Sequence, residues 1–285
     1  MFSKLRIYLV MIRFSHTVFA LPFALMGAIL AEGRIPNGRT LEWILVAMVG
    51  ARSGAMGMNR IADRELDALN PRTRDRALPQ GQISLVQAAV FVAISFVLFV
   101  LAAWMLNPLC FALAPVALLV LVGYSYTKRF TTLSHLVLGL SLGIAPVGAW
   151  VAVTGRIAFP PLLLCAAVLC WVAGFDILYA LADFEFDRQT GLFSIPARWG
   201  MATARRVSAV FHALTIGCLA GLIPLLGLGW SYALGVILAA ALLATEHVLI
   251  HRHGRAKLDL AFFNVNGVVS IGMLAATLLD VLARK

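Results

Sequence analysis

The chain has 285 residues, 61% of them hydrophobic and only 13% charged, with a mean hydropathy of +0.92. A soluble domain of this length could not bury so much apolar surface, whereas a bundle of membrane helices requires it. The formal net charge of +10 fits arginine-rich loops on one side of a membrane, so no nucleic-acid partner is expected.

Nine apolar stretches follow in chain order, near residues 14–31, 41–58, 86–105, 108–126, 133–153, 160–181, 206–226, 230–250 and 261–282. Each is about 16–22 residues long, close to what a bilayer crossing needs. The first is long enough to span, and no small-residue cleavage site follows it, so it reads as a span and not as a signal peptide. The connections EGRIPNGR, LNP, TGRIAFP and GLGW are short and carry turn residues. The others are longer and basic. Cys110, Cys165, Cys170 and Cys218 sit within apolar runs, with no metal or disulfide spacing, and read as small hydrophobes. These features predict an all-α, polytopic membrane protein of a single domain over residues 1–285.

Charge sets the orientation. With the N-terminus in the cytoplasm, 17 Lys and Arg fall on the inner side and 5 on the outer, and Arg52 within the second span completes the 23. That asymmetry predicts a cytoplasmic N-terminus and an outer C-terminus.

Two stretches carry the chemistry. Asn59, Asp63 and Asp67 are four residues apart, so one helix would place them on one stripe, with Glu65 pointing elsewhere. Asp183 and Asp187 repeat that spacing, Asp176 lies two turns earlier on the same face, and Glu185 falls off it. Four crossings separate the ends of the second and sixth spans, so both acidic rows are expected at one cytoplasmic mouth. The spacing reads as an internal duplication of a helix with an acidic end. Paired carboxylates at helix ends suit a hard divalent cation, magnesium (Mg2+), which bridges protein carboxylates to phosphate oxygens. The neighbouring arginines point to a phosphate group arriving with the cation. Arg72, Arg74 and Arg76 serve either that anion or lipid headgroups. Lys128 and Arg129 follow Tyr124 and Tyr126 at the same mouth. Arg52 and Asp176 lie within apolar spans, and either pair with each other or line a polar cavity. A phosphate cradle opening onto an apolar bundle fits a ligand anionic at one end and oily at the other, such as a prenyl diphosphate.

Other polar groups have plainer readings. Glu246, His247, His251 and His253 read as a solvated helix end and not as a metal cluster. His16, near Arg13, reads as a hydrogen-bonded helix residue. Phe262, Phe263, Asn264 and Asn266 open the last span, where buried amides bond neighbouring helices. The rival classes are a secondary transporter of an anionic metabolite and a structural membrane subunit. Transporters often carry inverted repeats, whereas the two acidic units here share one orientation.

Asn59-x-x-x-Asp63-x-x-x-Asp67, continued as Asn70-Pro71-Arg72-Thr73 and Leu78-Pro79-x-Gly81, resembles the first signature of the UbiA superfamily of intramembrane prenyltransferases. Tyr179-Ala180-x-x-Asp183-x-x-x-Asp187, continued as Gly191-Leu192-x-Ser194-Ile195-Pro196, resembles the second, and Tyr124-x-x-x-Lys128 a smaller element. The resemblance implies nine transmembrane helices around a central cavity. It implies that Asn59, Asp63, Asp67, Asp183 and Asp187 hold magnesium, that Lys128 and Arg72 bind diphosphate, and that Asn59 and Tyr124 help to form that site. It places Arg52 at the carboxylate of an aromatic acid and Asp176 near the acceptor as base or phenol-orienting group, with Asp63, Asp183 and Lys128 in the catalytic set.

The implied activity is transfer of a polyprenyl group from polyprenyl diphosphate to an aromatic acid of the 4-hydroxybenzoate type, in ubiquinone or menaquinone biosynthesis. The same chemistry on a dihydroxynaphthoate is the alternative. The words FSHTVFALPFA, GFDILYA and GLFSIPARWG resemble the futalosine-route group. Arg60, directly after Asn59, departs from the hydroxybenzoate enzymes, where an acid is common. The expected setting is a bacterial inner membrane with the active site facing the cytoplasm and no obligatory protein partner.

Overall fold

The computed structural model describes residues 2–12, 17–253 and 264–284. Every regular element among them is helical: α1 (Phe2–Met11), α2 (Thr17–Glu32), α3 (Gly38–Ala62), α4 (Arg64–Leu69), α5 (Leu85–Leu106), α6 (Pro108–Thr127), α7 (Ser134–Thr154), α8 (Phe159–Tyr179), α9 (Phe184–Thr190), α10 (Ile195–Trp199), α11 (Met201–Leu226), α12 (Trp230–His253) and α13 (Asn266–Ala283). A 3-10 turn, Ala180–Asp183, joins α8 to α9. Among the described residues seven helices are long and apolar enough to cross a membrane: α5, α6, α7, α8 with its continuation, α11, α12 and α13. The other two expected spans are helical as well. α2 is 16 residues long, and the 25 residues of α3 include Arg39, Glu42, Arg52 and Arg60. The chain is an all-helical integral membrane protein.

The helix ends lie where local chemistry puts them. Asn37 caps α3 through the Thr40 amide at 2.9 Å, and Ser84 and Gln87 form a reciprocal capping box on α5. Asn107 in the LNP turn caps α6 and also donates to the Val151 carbonyl at 2.8 Å, tying the turn to α7. α1, α10 and the first turn of α11 have no counterpart among the expected spans. Their apolar periodicity is too short to register as a crossing.

Two apolar clusters fill the bundle. One gathers α2, α8, α11, α12 and α13 around Trp171, and the other gathers α2, α3, α5, α6 and α7. α7 and α8 touch backbone to backbone. A Cβ added to Gly139 would collide with the Leu169 carbonyl, and one added to Gly143 would lie 2.8 Å from the Cys165 carbonyl oxygen. Small residues at such crossings let membrane helices approach closely. The four cysteines are free thiols.

The C-terminal end of α12 departs from the expected solvated helix end. Glu246 is buried and accepts from Asn266 Nδ2 at 3.0 Å, while Asn266 Oδ1 accepts from Trp171 Nε1 at 2.7 Å. The His247 ring lies 3.0 Å, nitrogen to nitrogen, from His212. A buried polar group draws on nearby partners, and here the expected buried amide, Asn266, supplies one to Glu246 Oε1, while Glu246 Oε2 has none among the described residues. His251 is exposed as expected, whereas Asn264, expected among the buried amides, is exposed. Arg13, His16, Phe262, Phe263 and the His253 side chain lie outside the described residues. Replacing Glu246 with Leu removes the acceptor of the Asn266 Nδ2 hydrogen bond inside the bundle and is expected to cost about 1–3 kcal/mol. Glu246→Gln keeps the acceptor and is expected to be nearly neutral. Thermal unfolding of the two variants in detergent measures the difference.

Candidate active site

α3, α6 and α8 all finish at the same end of the bundle, and their last turns build the site. α3 does not run through the first acidic row as one helix. It stops at Ala62, Asp63 forms the junction with φ −93° and ψ 3°, and α4 begins at Arg64. The second row has the same construction: Asp183, with φ −98° and ψ 9°, separates the 3-10 turn from α9. Backbone bonds from Asp63 N to Asn59 O (2.9 Å) and from Asp67 N to Asp63 O (2.7 Å) keep the four-residue spacing across the break. Each unit therefore has an aspartate at the junction and a second, buried aspartate in the first turn of a short helix. Glu65 and Glu185, between them, are exposed. The matched junction geometry extends the repeat from spacing to backbone.

The rows are joined by side chains. Asp183 accepts from Asn70 Nδ2 at 3.0 Å and from Arg72 Nε at 2.9 Å, and a second guanidinium nitrogen of Arg72 also binds it. Arg72 Nη1 donates to the Tyr179 hydroxyl at 2.9 Å and lies over the Tyr179 ring. Lys128 Nζ reaches Asp63 Oδ2 at 2.6 Å, and Asn59 Nδ2 donates to the same oxygen at 3.1 Å. The Lys128 carbonyl accepts from Phe193 N at 2.8 Å, which brings the segment after α9 onto the end of α6. Stretches 59–81, 124–129 and 176–196 thus meet at one mouth.

Asp67 is held differently. Arg76 Nη1 lies 2.7 Å from both its oxygens, and Arg60 approaches to 4.0 Å. Arg60 is buried, and its Nε donates to the Met11 carbonyl at 3.2 Å. The unusual residue after Asn59 therefore packs α1 against α3.

Inside the mouth lies a chamber of about 390 Å³. Its wall is apolar except for Arg52, Tyr124, Ser141 and two cysteines. Tyr124 is one turn before Lys128 on α6, and Met56, also in the wall, is one turn before Arg60 on α3, so the chamber begins about one helical turn inside the charged groups. Arg52 Nε is buried and has no hydrogen-bond partner. An uncompensated buried cation is costly unless an anion joins it.

Arg52 and Asp176 do not pair with each other. Asp176 Oδ2 lies 2.7 Å from His135 Nδ1, at the start of α7. Among the described residues no three of His, Cys, Asp and Glu already lie close enough together to hold a metal ion.

The profile of the UbiA prenyltransferase family matches residues 20–268. The chain belongs to this family. It is 32% identical to the 4-hydroxybenzoate octaprenyltransferase of Shewanella woodyi over 274 residues, 93% of each chain. The apo structure of a UbiA homologue from Aeropyrum pernix K1 superposes with a TM-score of 0.86 at 34% identity, covering 93% of this chain and 98% of that one. A UbiA homologue from Archaeoglobus fulgidus bound to DMAPP and Mg2+ shares the fold, with a TM-score of 0.76 at 21% identity over 96% of this chain and 99% of that one.

Beyond the UbiA signatures, residue spacing gave no site role to His135, Asn70 or Tyr179. Asn70 and Tyr179 sit inside the signatures, and their polar tips beside the aspartates were the available signal. His135 had only Ser134 beside it, at the head of an apolar run shortly after Lys128 and Arg129.

Proposed function

We propose that this UbiA-family chain transfers a polyprenyl group from a polyprenyl diphosphate to the ring of an aromatic acid of the 4-hydroxybenzoate type, with magnesium, for ubiquinone or menaquinone synthesis. The observation that carries the reading is the pairing of the two junction aspartates. Lys128 holds Asp63 and Arg72 holds Asp183, at the mouth of an apolar chamber whose one cation, Arg52, has a buried unpaired nitrogen.

The donor set fits magnesium. It is made of hard carboxylate oxygens, and Asp63 Oδ1 is buried with no hydrogen-bond partner and with Arg129 Nη2 3.8 Å away. Asn59, Asp63, Asp67, Asp183 and Asp187 would hold it. When bound, magnesium supplies charge to the diphosphate oxygens as they become a leaving group. Lys128 and Arg72 would bind the diphosphate directly and stabilise the leaving anion. Asn59 and Tyr124 shape the diphosphate site.

The chamber takes the polyprenyl chain and keeps water from the allylic cation. Arg52 receives the carboxylate of the acceptor, and Asp176 orients the phenol or takes the ring proton. Two groups with named ends, an acid at Arg52 and a phenol near Asp176, favour a hydroxyarenecarboxylate over the anionic cargo of a transporter. The whole chain, residues 1–285, forms the one catalytic domain. Read as nine apolar crossings with the N-terminus in the cytoplasm, as the charge asymmetry suggests, the chain would open its mouth at the cytoplasmic face of a bacterial inner membrane.

The test is turnover by purified protein given labelled prenyl diphosphate and either 4-hydroxybenzoate or a dihydroxynaphthoate, with magnesium or a chelator. Ring-prenylated 4-hydroxybenzoate with magnesium only is the expected product. Pyrophosphate release that never requires an aromatic acceptor would contradict the reading. Arg52→Leu is expected to lower kcat/KM for the acceptor about 10–100-fold, the worth of one charge-assisted hydrogen bond, while KM for the prenyl diphosphate stays within about threefold of wild type.

A further inference from the structure

The geometry points to His135 as a positioning residue that fixes Asp176 for the acceptor half of the reaction. This inference rests on the reading of Asp176 given above and adds the group that sets its orientation.

His135 is buried, at 4% exposure, in the first turn of α7. Both its ring nitrogens are engaged. Ile195 N lies 3.3 Å from Nε2 and Asp176 Oδ2 lies 2.7 Å from Nδ1. A backbone N–H can only donate, so Nε2 is an acceptor and the ring proton is on Nδ1. His135 is therefore a neutral imidazole whose Nδ1–H donates to Asp176, with its tautomer set by the main chain. Ile195 is the first residue of α10, where amides have no partner within the helix. The start of α10 thereby locks His135, and His135 locks Asp176.

The chemical consequence is specific. A hydrogen bond donated to Oδ2 stops the carboxylate from rotating. Asp176 is partly exposed, and Oδ1 remains for the acceptor. In the transfer, the bond between the allylic carbon and the diphosphate oxygen breaks, and its electron pair leaves on the diphosphate. The ring carbon ortho to the phenol uses a π pair to bond the allylic carbon. Asp176 Oδ1 takes the proton from that ring carbon, and the former C–H pair restores aromaticity. His135 keeps its own proton throughout. It acts as the orienting third group acts in other general-base sites.

The segment that binds His135 also carries the second acidic row. Phe193 N donates to the Lys128 carbonyl at 2.8 Å, two residues before Ile195. Placement of Asp176 is thus built into the same backbone that closes the diphosphate end.

Two variants separate the two bonds. The amide of His135→Asn falls near Nδ1 and can still donate to Asp176. The amide of His135→Gln falls near Nε2, keeps the Ile195 link and loses Asp176. His135→Gln is expected to lower kcat for ring prenylation roughly 10–100-fold, within the range of general-base effects. KM for the prenyl diphosphate is expected to be unchanged, more of the consumed donor should end as prenyl alcohol, and the isotope effect with ring-deuterated acceptor should exceed that of wild type. His135→Asn is expected to stay within about fivefold of wild type, consistent with a retained donor. Equal losses in both variants, or a loss in His135→Gln with no change in the alcohol fraction or the isotope effect, would show a structural role only and overturn the inference. Asp176→Asn distinguishes the underlying reading: if ring prenylation survives it, the role of Asp176 falls, and that of His135 with it. If Asp176→Asn abolishes ring prenylation while His135→Gln behaves as wild type, the inference about His135 alone fails.

Discussion

Asp63→Asn and Asp183→Asn are each expected to lower turnover by about 10³-fold or more, the scale on which preorganised charge acts on a leaving anion. Neither change is expected to unfold the protein. Asp63 is nearly buried, but its partner Lys128 is about one-third exposed and can re-enter water when the carboxylate becomes an amide. The Asp63→Asn side chain keeps the shape that meets Asn59 while losing the negative charge. Asp183 is partly exposed, and Arg72 retains Tyr179 as a partner. The junction backbone at Asp63 is made by main-chain bonds, which the substitution leaves intact. The checks are initial rates with saturating magnesium and thermal unfolding in the same detergent. Wild-type rates in either variant would remove the acidic rows from the mechanism.

Gly139→Leu is the substitution expected to cost the most stability. Its Cβ would strike the Leu169 carbonyl, so α7 and α8 would have to separate. Overpacking of this kind costs about 1–3 kcal/mol where a core gives way, and a backbone atom gives way less than a side chain. The same shift would pull His135, on α7, from Asp176, on α8, and break their 2.7 Å bond. Loss of both thermal stability and ring prenylation is therefore expected. Gly217→Ala is the control, because nothing lies within 4 Å of the added methyl. A Gly139→Leu midpoint equal to that control would show that the α7–α8 contact is looser than its geometry.

The acidic rows were legible because carboxylates are rare in so apolar a chain, and a four-residue spacing survives even a broken helix. The break itself was not legible, because Asp63 and Asp183 carry no Gly or Pro signal. The extents of α5, α6, α7 and α8 were read to within about two residues, since Asn, Ser, Pro and Gly mark their ends. Arg52 stood out as an intramembrane charge, yet its partner could not be chosen from sequence. Asp176, the other charge within the apolar spans, was one candidate, but it binds His135 across the α7–α8 crossing instead. Glu246 and His247 were misread for the same reason. Proximity to a basic loop in sequence suggested water, whereas Asn266, Trp171 and His212 from three other helices enclose them.

The most direct measurement is the affinity of an unreactive prenyl diphosphate analogue, determined by calorimetry with magnesium and again with a chelator. Magnesium is expected to tighten binding to the wild-type chain by about 10-fold or more, the worth of added charge contacts, and to do little for Asp63→Asn or Asp183→Asn. Equal affinity in magnesium and chelator, or an unchanged magnesium effect in both variants, would contradict the metal-bridged grip of the two junction aspartates on the diphosphate.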